Sequence, residues 1–349
     1  MSPASGSVAR PAASAENETI SLSDAEALLH RALVSHGVRD ESALSVAKAL
    51  VAAEAEGQAG HGFSRLADYI AQARSGKVKA DAVPKLISKE PGAILVDAGN
   101  GFAYPALDLA IAHGIAAAKN SGCASISVTR SHHCGALSVQ VQKIAEAGCV
   151  GIMVANAPAA IAPWGAKVPV FGTNPIAFAV PRLGAEPLVI DLSLSRVARG
   201  KVMHAKKSGT TIPHGWALDK DGVPTTDPEA ALEGTMVPIG EAKGTALALM
   251  VEILAATFTG AQSSREASSF FSAEGPPPGT GQFLLALRPH DIDAFRARLE
   301  RLISVIDVLD GARLPGERRK AALAAARAHG LQVPKHYLDQ ARALASDNG

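Results

Sequence analysis

Four short stretches of this chain gather the residue types that handle protons, carboxylates and phosphates. In GHGFSR, His61 stands four residues before Arg65, a spacing that puts both side chains on one face where the backbone is helical. A guanidinium's planar fork matches the two oxygens of a carboxylate, and an imidazole exchanges protons near neutral pH. Together they could hold a small acid and manage a proton on it; taken singly they read as a helix-end histidine and a surface arginine. In TRSHHCGALS, Ser131, His132 and His133 follow a strand-like run, and Gly135 turns the chain into a helix start whose unpaired N–H groups suit a phosphate. Adjacent histidines point apart on an extended chain and no third ligand has metal-like spacing, so no metal is expected. His133 is left with two readings, contact with a phosphate or nicotinamide ring and plain turn packing.

The third stretch, FGTNPIAFAVPR, sets Thr173 and Asn174 before a proline that forces an extended neighbour. Their hydroxyl and amide could meet a substrate, although Thr-Asn-Pro is also an ordinary turn. The fourth combines DLSLSRVARGK with the late run RLPGERRK. Asp191 ends an apolar strand, Ser193 and Ser195 are placed to cap the next helix, and Arg313, Arg318 and Arg319 offer either a phosphate clamp or solvated loop charge.

The elements that must position these groups are legible as periodicity. Apolar spacing of three and four residues predicts helices from Ser21 to Gly37, from Asp40 to Glu56 and over FSRLADYIAQARSG. That reading places His61 and Arg65 at a helix start. Strand-like runs follow at AILVDAG, ASISVTR, VGIMVANA, PLVIDLS and FLLALRP, with helical patterns over LDLAIAHGIAAAKN, ALSVQVQKIAEAG, KGTALALMVEILAATFTG and IDAFRARLERLISVIDVL. Two further helical patterns close the chain, the second after Pro334. The Pro- and Gly-rich segment from Ser268 to Gln282 reads as a surface connection.

Composition narrows the field. The chain has 349 residues, enough for one large or two ordinary domains, with 47% hydrophobic and 19% charged residues. A formal net charge of +1 and 4% aromatics argue against a nucleic-acid surface. The longest apolar stretch, Cys149 to Ala166, is broken by Asn156, Pro158 and Pro163, short of the roughly 20 apolar residues of a membrane helix. Three cysteines without C-x-x-C spacing, and no apolar run of the signal-peptide kind near Met1, fit a cytoplasmic address. No G-x-G-x-x-G follows a strand, and Walker A, H-E-x-x-H and G-x-S-x-G are missing, so a standard Rossmann domain and the commoner routes to phosphoryl or acyl transfer are not expected.

GHGFSR, SHHCGALS, APWG, GTNPIAFAVPR, DLSLSRVARGK, KGTALALMVEIL and LPGERR occur in one order along the chain. From about Leu22 to the last helix this order resembles the malate/L-lactate dehydrogenase family of NAD(P)-dependent oxidoreductases, which is distinct from the Rossmann-type lactate and malate dehydrogenases. Within the family it is most similar to the Δ1-piperideine-2-carboxylate/Δ1-pyrroline-2-carboxylate reductases. The resemblance implies a mixed α/β fold. A non-Rossmann nucleotide domain with a largely antiparallel sheet (121–289) is expected inside a helical substrate domain (21–120 and 290–349), after a flexible tail (1–20), in a homodimer.

By the same resemblance His61 is the proton donor, Arg65 the carboxylate ligand and Thr173 a further substrate contact. The cofactor, NADPH with NADH as the alternative, would lie along His133, Cys134, Gly135, Ala136 and Leu137; Asp191, Leu192 and Ser193; Ala242 and Lys243; and Arg313, Leu314, Pro315, Gly316, Glu317, Arg318 and Arg319. Three positions depart from the pattern. Gly60 and Lys201 stand where the imine reductases have a serine and an aspartate that form a relay with the histidine, and Ala242 stands where many members have histidine.

The expected chemistry is hydride delivery to C2 of a small planar acid, with cyclic imines first: Δ1-pyrroline-2-carboxylate and Δ1-piperideine-2-carboxylate going to L-proline and L-pipecolate. An imine nitrogen can arrive already protonated, which tolerates a histidine without its relay. The alternatives are a dehydrogenase of malate, lactate, sulfolactate or ureidoglycolate, a metal-dependent hydrolase around His61, His132 and His133, and an inactive nucleotide-binding protein.

Overall fold

The computed structural model describes residues 16–347. It opens with a short strand, β1 (Asn17–Ile20), and three helices, α1 (Leu22–Val34), α2 (Asp40–Ala55) and α3 (Leu66–Arg74). Next come β2 (Lys85–Glu90), β3 (Ala93–Asp97), α4 (Ala103–Ser121), β4 (Cys123–Ser131), α5 (Leu137–Glu146), β5 (Val150–Ala155), β6 (Ile176–Val180) and β7 (Leu188–Leu192). A smaller unit succeeds them: α6 (Arg199–Ser208), β8 (Ala217–Leu218), β9 (Pro224–Thr225), α7 (Pro228–Glu233) and β10 (Thr235–Met236). The chain ends with α8 (Ala242–Glu252), β11 (Thr280–Leu287), α9 (Ile292–Asp307), α10 (Glu317–His329), β12 (Leu331–Pro334) and α11 (Lys335–Ser346).

Seven strands form the main sheet in the order β2-β3-β4-β11-β5-β6-β7. Every neighbouring pair is antiparallel except β3 with β4, which α4 joins by the crossover that a parallel pair requires. The sheet is therefore mixed and mostly antiparallel, as the resemblance implied. Its late strand β11 is buried along nearly its whole length: β4 and β5 pair its two edges, and alternate side chains enter two separate cores, Leu284 with Ala286 and Phe283 with Leu285. The helices α4 and α5 pack their apolar sides on the sheet to make one core, which includes Leu107, Ile126, Leu137, Val141 and Leu284.

A second core belongs to the helices at the two ends of the chain. Leu29, Leu33, Leu50, Phe63 and Tyr69 pack with Leu331, Val333 and Leu338. The first helix starts where the sequence predicted, because Ser21 Oγ accepts the Asp24 amide at 3.1 Å and caps it.

Several expectations change here. Residues 1–15 of the expected tail lie outside the described residues, but Asn17–Ile20 is not tail: it pairs antiparallel with β12, from Asn17 opposite Pro334 to Ile20 opposite Leu331. The helical segment expected over 21–120 extends too far, since β2, β3 and α4 belong to the main sheet and its core. At the expected return at 290, α9 ties to the loop after β6 through Glu300 and Arg182 at 2.7 Å. Ser193 and Ser195 cap nothing: α6 starts only at Arg199, and the two hydroxyls bond each other at 2.7 Å. Among the described residues no helix is long and apolar enough to cross a membrane.

Candidate active site

After α2 the chain makes two 3-10 turns, Ala59–His61 and Phe63–Arg65, before α3 begins. His61 and Arg65 therefore do not share a single α-helical turn, as their spacing suggested. The break comes at Gly62, where an added Cβ would collide with the Glu54 carboxylate that accepts the Phe63 amide at 2.9 Å. Phe63 is anchored in the helical core and fixes the start of the second turn, and with it the place of Arg65.

The His61 ring stacks on His133 at 5.3 Å between centroids and 20° between planes, and its Nδ1 is sealed with no partner. Arg65 is 3% exposed. One arm pairs with Asp68 at 2.9 Å, the other donates to the Phe270 carbonyl at 2.6 Å, and Nε is unpartnered. Its flat face lies 4.5 Å from the Phe271 ring and 5.5 Å from Tyr69.

The two histidines after β4 diverge as an extended chain dictates. His132 Nε2 donates to Gln72 Oε1 at 2.6 Å, and the Gln72 amide donates to the Phe270 carbonyl at 2.8 Å. His133 Nδ1 meets the Tyr69 hydroxyl at 2.6 Å, and that hydroxyl meets Tyr104 at 2.9 Å. Gly135 makes room for this: its φ of +69° is left-handed, and a Cβ there would lie 2.6 Å from the Tyr104 oxygen.

A strap, residues 262–279, closes over these groups ahead of β11. Lys77 Nζ donates to the carbonyls of Ser269, Ser272 and Glu274 at 2.6, 2.8 and 2.8 Å, and Ser75 Oγ to that of Ala273 at 2.8 Å. Phe270 puts its ring 5.5 Å from His132 and 5.1 Å from His133. Tyr69, Gln72, Lys77 and Phe270 were not singled out from sequence. Two signals were present: Tyr69 lies one helical turn past Arg65, and Phe270-Phe271 is a rare aromatic pair in an aromatic-poor chain.

The electrostatics arise from burial beside a cation. Loss of solvent, then the Arg65 charge, lowers His61 from 6.5 to about 4 and His132 to about 3. His133 is held well below its ordinary value by burial first, then by Arg65, His61 and His132. All three imidazoles are neutral at pH 7. Burial pushes the Tyr69 hydroxyl up to about 12, and burial followed by Asp191 does the same to the Cys134 thiol.

Three of the four expected cofactor stretches meet at the start of α5. Asp191 Oδ2 accepts the Ser138 amide at 2.8 Å, Ser138 Oγ donates to Glu56 at 2.8 Å, and Glu56 pairs with Arg319 at 3.1 Å. This links the His133–Leu137 turn, the end of β7 and the Arg313–Arg319 loop. A hollow borders Gln142, Val189, Pro315, Gly316 and Arg319 beside that junction. Arg313 and Arg318 are exposed. Thr173 sits against the β7 stretch, its carbonyl accepting the Leu194 amide at 2.9 Å. Ala242 and Lys243 form the first turn of α8. Asn174 is withdrawn from any substrate: it is fully buried and its amide nitrogen holds α8 through Ala248 O and Glu252 at 3.0 and 2.9 Å. Lys201 is an exposed residue of α6, and the space at Gly60 is open, so neither supplies a relay.

A mostly antiparallel sheet flanked by a helical unit from both chain ends, with a neutral imidazole beside a buried guanidinium, defines a dehydrogenase or reductase built without the Rossmann glycine fingerprint. The chain belongs to the malate/L-lactate dehydrogenase family, whose description matches residues 20–341. It is 49% identical over 327 residues to a (2R)-3-sulfolactate dehydrogenase (NADP(+)) of Chromohalobacter salexigens, covering 93% of this chain and 98% of that one. It is 39% identical to Δ1-pyrroline-2-carboxylate reductase 2 of Burkholderia multivorans, over 93% of this chain and 97% of the relative. The crystal structure of Δ1-piperideine-2-carboxylate reductase from Pseudomonas syringae superposes with a TM-score of 0.89 at 38% identity, covering 94% of this chain and 99% of that one.

Proposed function

We propose that the protein is an NADP(H)-dependent oxidoreductase that moves a hydride between the nicotinamide and C2 of a small carboxylate. The observation that carries this reading is the buried Arg65 guanidinium, with Nε unpartnered, within electrostatic reach of the neutral His61 imidazole. The residues fit the cofactor. The α5 N-terminus has no side-chain cap at Ala136, although Asp191 takes its Ser138 amide, and the exposed guanidiniums of Arg313 and Arg318 suit a 2′-phosphate. When bound, the nicotinamide supplies or takes the hydride.

In the oxidising direction neutral His61 accepts the proton of the substrate hydroxyl. In the reducing direction it must first be charged. A carboxylate on Arg65 offsets the cation that lowers the His61 pKa, which raises it toward the range where it can protonate an alkoxide. Arg65 takes that carboxylate by releasing the Phe270 carbonyl, and the aromatic faces of Tyr69 and Phe270 exclude water around the reacting carbon.

A 2-hydroxy acid of the sulfolactate kind is the first substrate candidate, ahead of the cyclic imines expected from sequence. The 49% relative acts on such an acid by name. Cyclic imines are the second reading, favoured by the 39% relative and by a histidine that is neutral at rest, since a protonated imine needs no proton from it. Oxidation of NADPH and NADH with 3-sulfopyruvate, oxaloacetate, pyruvate, Δ1-pyrroline-2-carboxylate and Δ1-piperideine-2-carboxylate decides. The highest kcat/KM is expected with an oxo acid and NADPH. A preference for an imine would install the second reading, and absence of turnover with all five, under conditions of cofactor binding, would leave an inactive nucleotide-binding protein.

We also propose a homodimer through α8 and the helical turn that continues it, where Leu247, Leu249, Met250, Ile253 and Phe258 are 41–61% exposed. Light scattering should give about twice the chain's 35.7 kDa. Three cysteines, all free, suit the reducing cytoplasm.

A further inference from the structure

In the chain Tyr104–Tyr69–His133 only one arrangement gives both tyrosine protons an acceptor. If His133 Nδ1–H donated to Tyr69, Tyr69 would donate to Tyr104, and the Tyr104 proton would have no acceptor among the described residues. A buried donor left unpaired is destabilising, because it loses water and gains no acceptor. With the opposite polarity Tyr104 donates to Tyr69 and Tyr69 to His133 Nδ1, so both tyrosine protons have acceptors and the His133 hydrogen resides on Nε2. That nitrogen has no protein partner among the described residues, and unlike His61 Nδ1 and His132 Nδ1 it is not sealed off.

We propose that Tyr69, backed by Tyr104, is a positioning residue that locks His133 as its Nε2–H tautomer, so that His133 offers a standing hydrogen-bond donor to the heteroatom on the substrate's C2 beside His61. This takes the place of the relay missing at Gly60 and Lys201, and it rests on the oxidoreductase reading above. No proton leaves His133; it orients the heteroatom while His61 exchanges the proton. Three elements hold the ring: His61 in the 3-10 turn, Tyr69 on α3 and Phe270 on the strap. The charged and titratable groups facing it are Arg65, His61, His132, Tyr69 and, behind Tyr69, Tyr104 and Cys134.

Long-range 1H–15N correlations of histidine-labelled protein read the tautomer without any substrate. Wild type is expected to show His133 with Nε2 protonated, assigned by its loss in His133→Gln. Tyr69→Phe removes the donor that stabilises the neutral ring, so His133 should populate both tautomers and its pKa should rise. Its kcat should fall about tenfold, the worth of one hydrogen bond of about 1.4 kcal/mol, with KM for NADPH unchanged and the acid limb of the kcat–pH profile moved to higher pH. Tyr104→Phe leaves Tyr69 able to donate and should keep the tautomer with a smaller fall in kcat. His133 protonated on Nδ1 in wild type overturns the proposal, as does an unchanged tautomer and pH profile in Tyr69→Phe. If Tyr69→Phe fails to fold, the wild-type tautomer alone decides. The spectra need no turnover, so a wrong substrate class and a wrong role for Tyr69 give different results.

Discussion

At the scale of single residues the site is a contest between one cation and three bases for scarce solvent. Asp68 and the Phe270 carbonyl accept from Arg65, and burial, then the nearby guanidinium, keeps the imidazoles around it neutral. His61→Ala should lower kcat by about 10²–10⁴, the usual worth of a positioned acid–base group, with NADPH affinity in fluorescence titration unaltered; an unchanged kcat would remove His61 from the reaction. His61, Arg65 and His133 were legible in the sequence because their types announce chemistry. Gln72 and Lys77 were not, because they act on backbone carbonyls almost 200 residues away, at Ser269 to Glu274, and a carbonyl carries no trace of residue identity.

At the scale of elements, the strap links the two halves of the site. Its Pro- and Gly-rich composition identified a connection, but not that Lys77 gathers three of its carbonyls beneath one ammonium. Lys77→Met should keep the bulk of the side chain and remove those bonds. Amide exchange across 268–278 is expected to rise about tenfold or more, with little change in β11; equal protection in both proteins would show that the aromatic contacts alone hold the strap. The long helices and the strand runs over β3, β4, β5, β7 and β11 were visible as period. The central place of β11 was not, since strand order depends on which distant edge is free to pair, and neither were β1 and β12, four residues each. The pair of 3-10 turns escaped because Gly62 answers to the Glu54 carboxylate, a contact no local pattern encodes.

For the whole molecule, the three neutral histidines link stability to acidity. Each has a folded pKa below the unfolded value of 6.5, so the unfolded chain binds more protons between the two values and stability declines as pH falls through that window. At pH 5 His61 and His132 each contribute a loss of roughly 2 kcal/mol, from about 1.36 kcal/mol per pH unit below 6.5, and His133 acts in the same direction. The melting temperature should drop steeply from pH 7 to pH 5, and the drop should shrink in His132→Gln. A flat profile would mean that these rings are protonated in the fold.

The antiparallel pairing of β1 with β12 also sets an order of events on the ribosome. The first helices to emerge, α1 and α2, complete their core only with Leu331, Val333 and Leu338, among the last residues to be made. The sheet half has all its strands once Leu287 has been translated and can settle first, while the opening helices wait with apolar faces uncovered. Nascent chains arrested before Leu331 should be cut by protease within α1 and α2 yet resist within β3 to β7. For most of synthesis the end that carries His61 and Arg65 therefore lacks its closing strand and helix, and the half that holds the candidate site is the last to become whole.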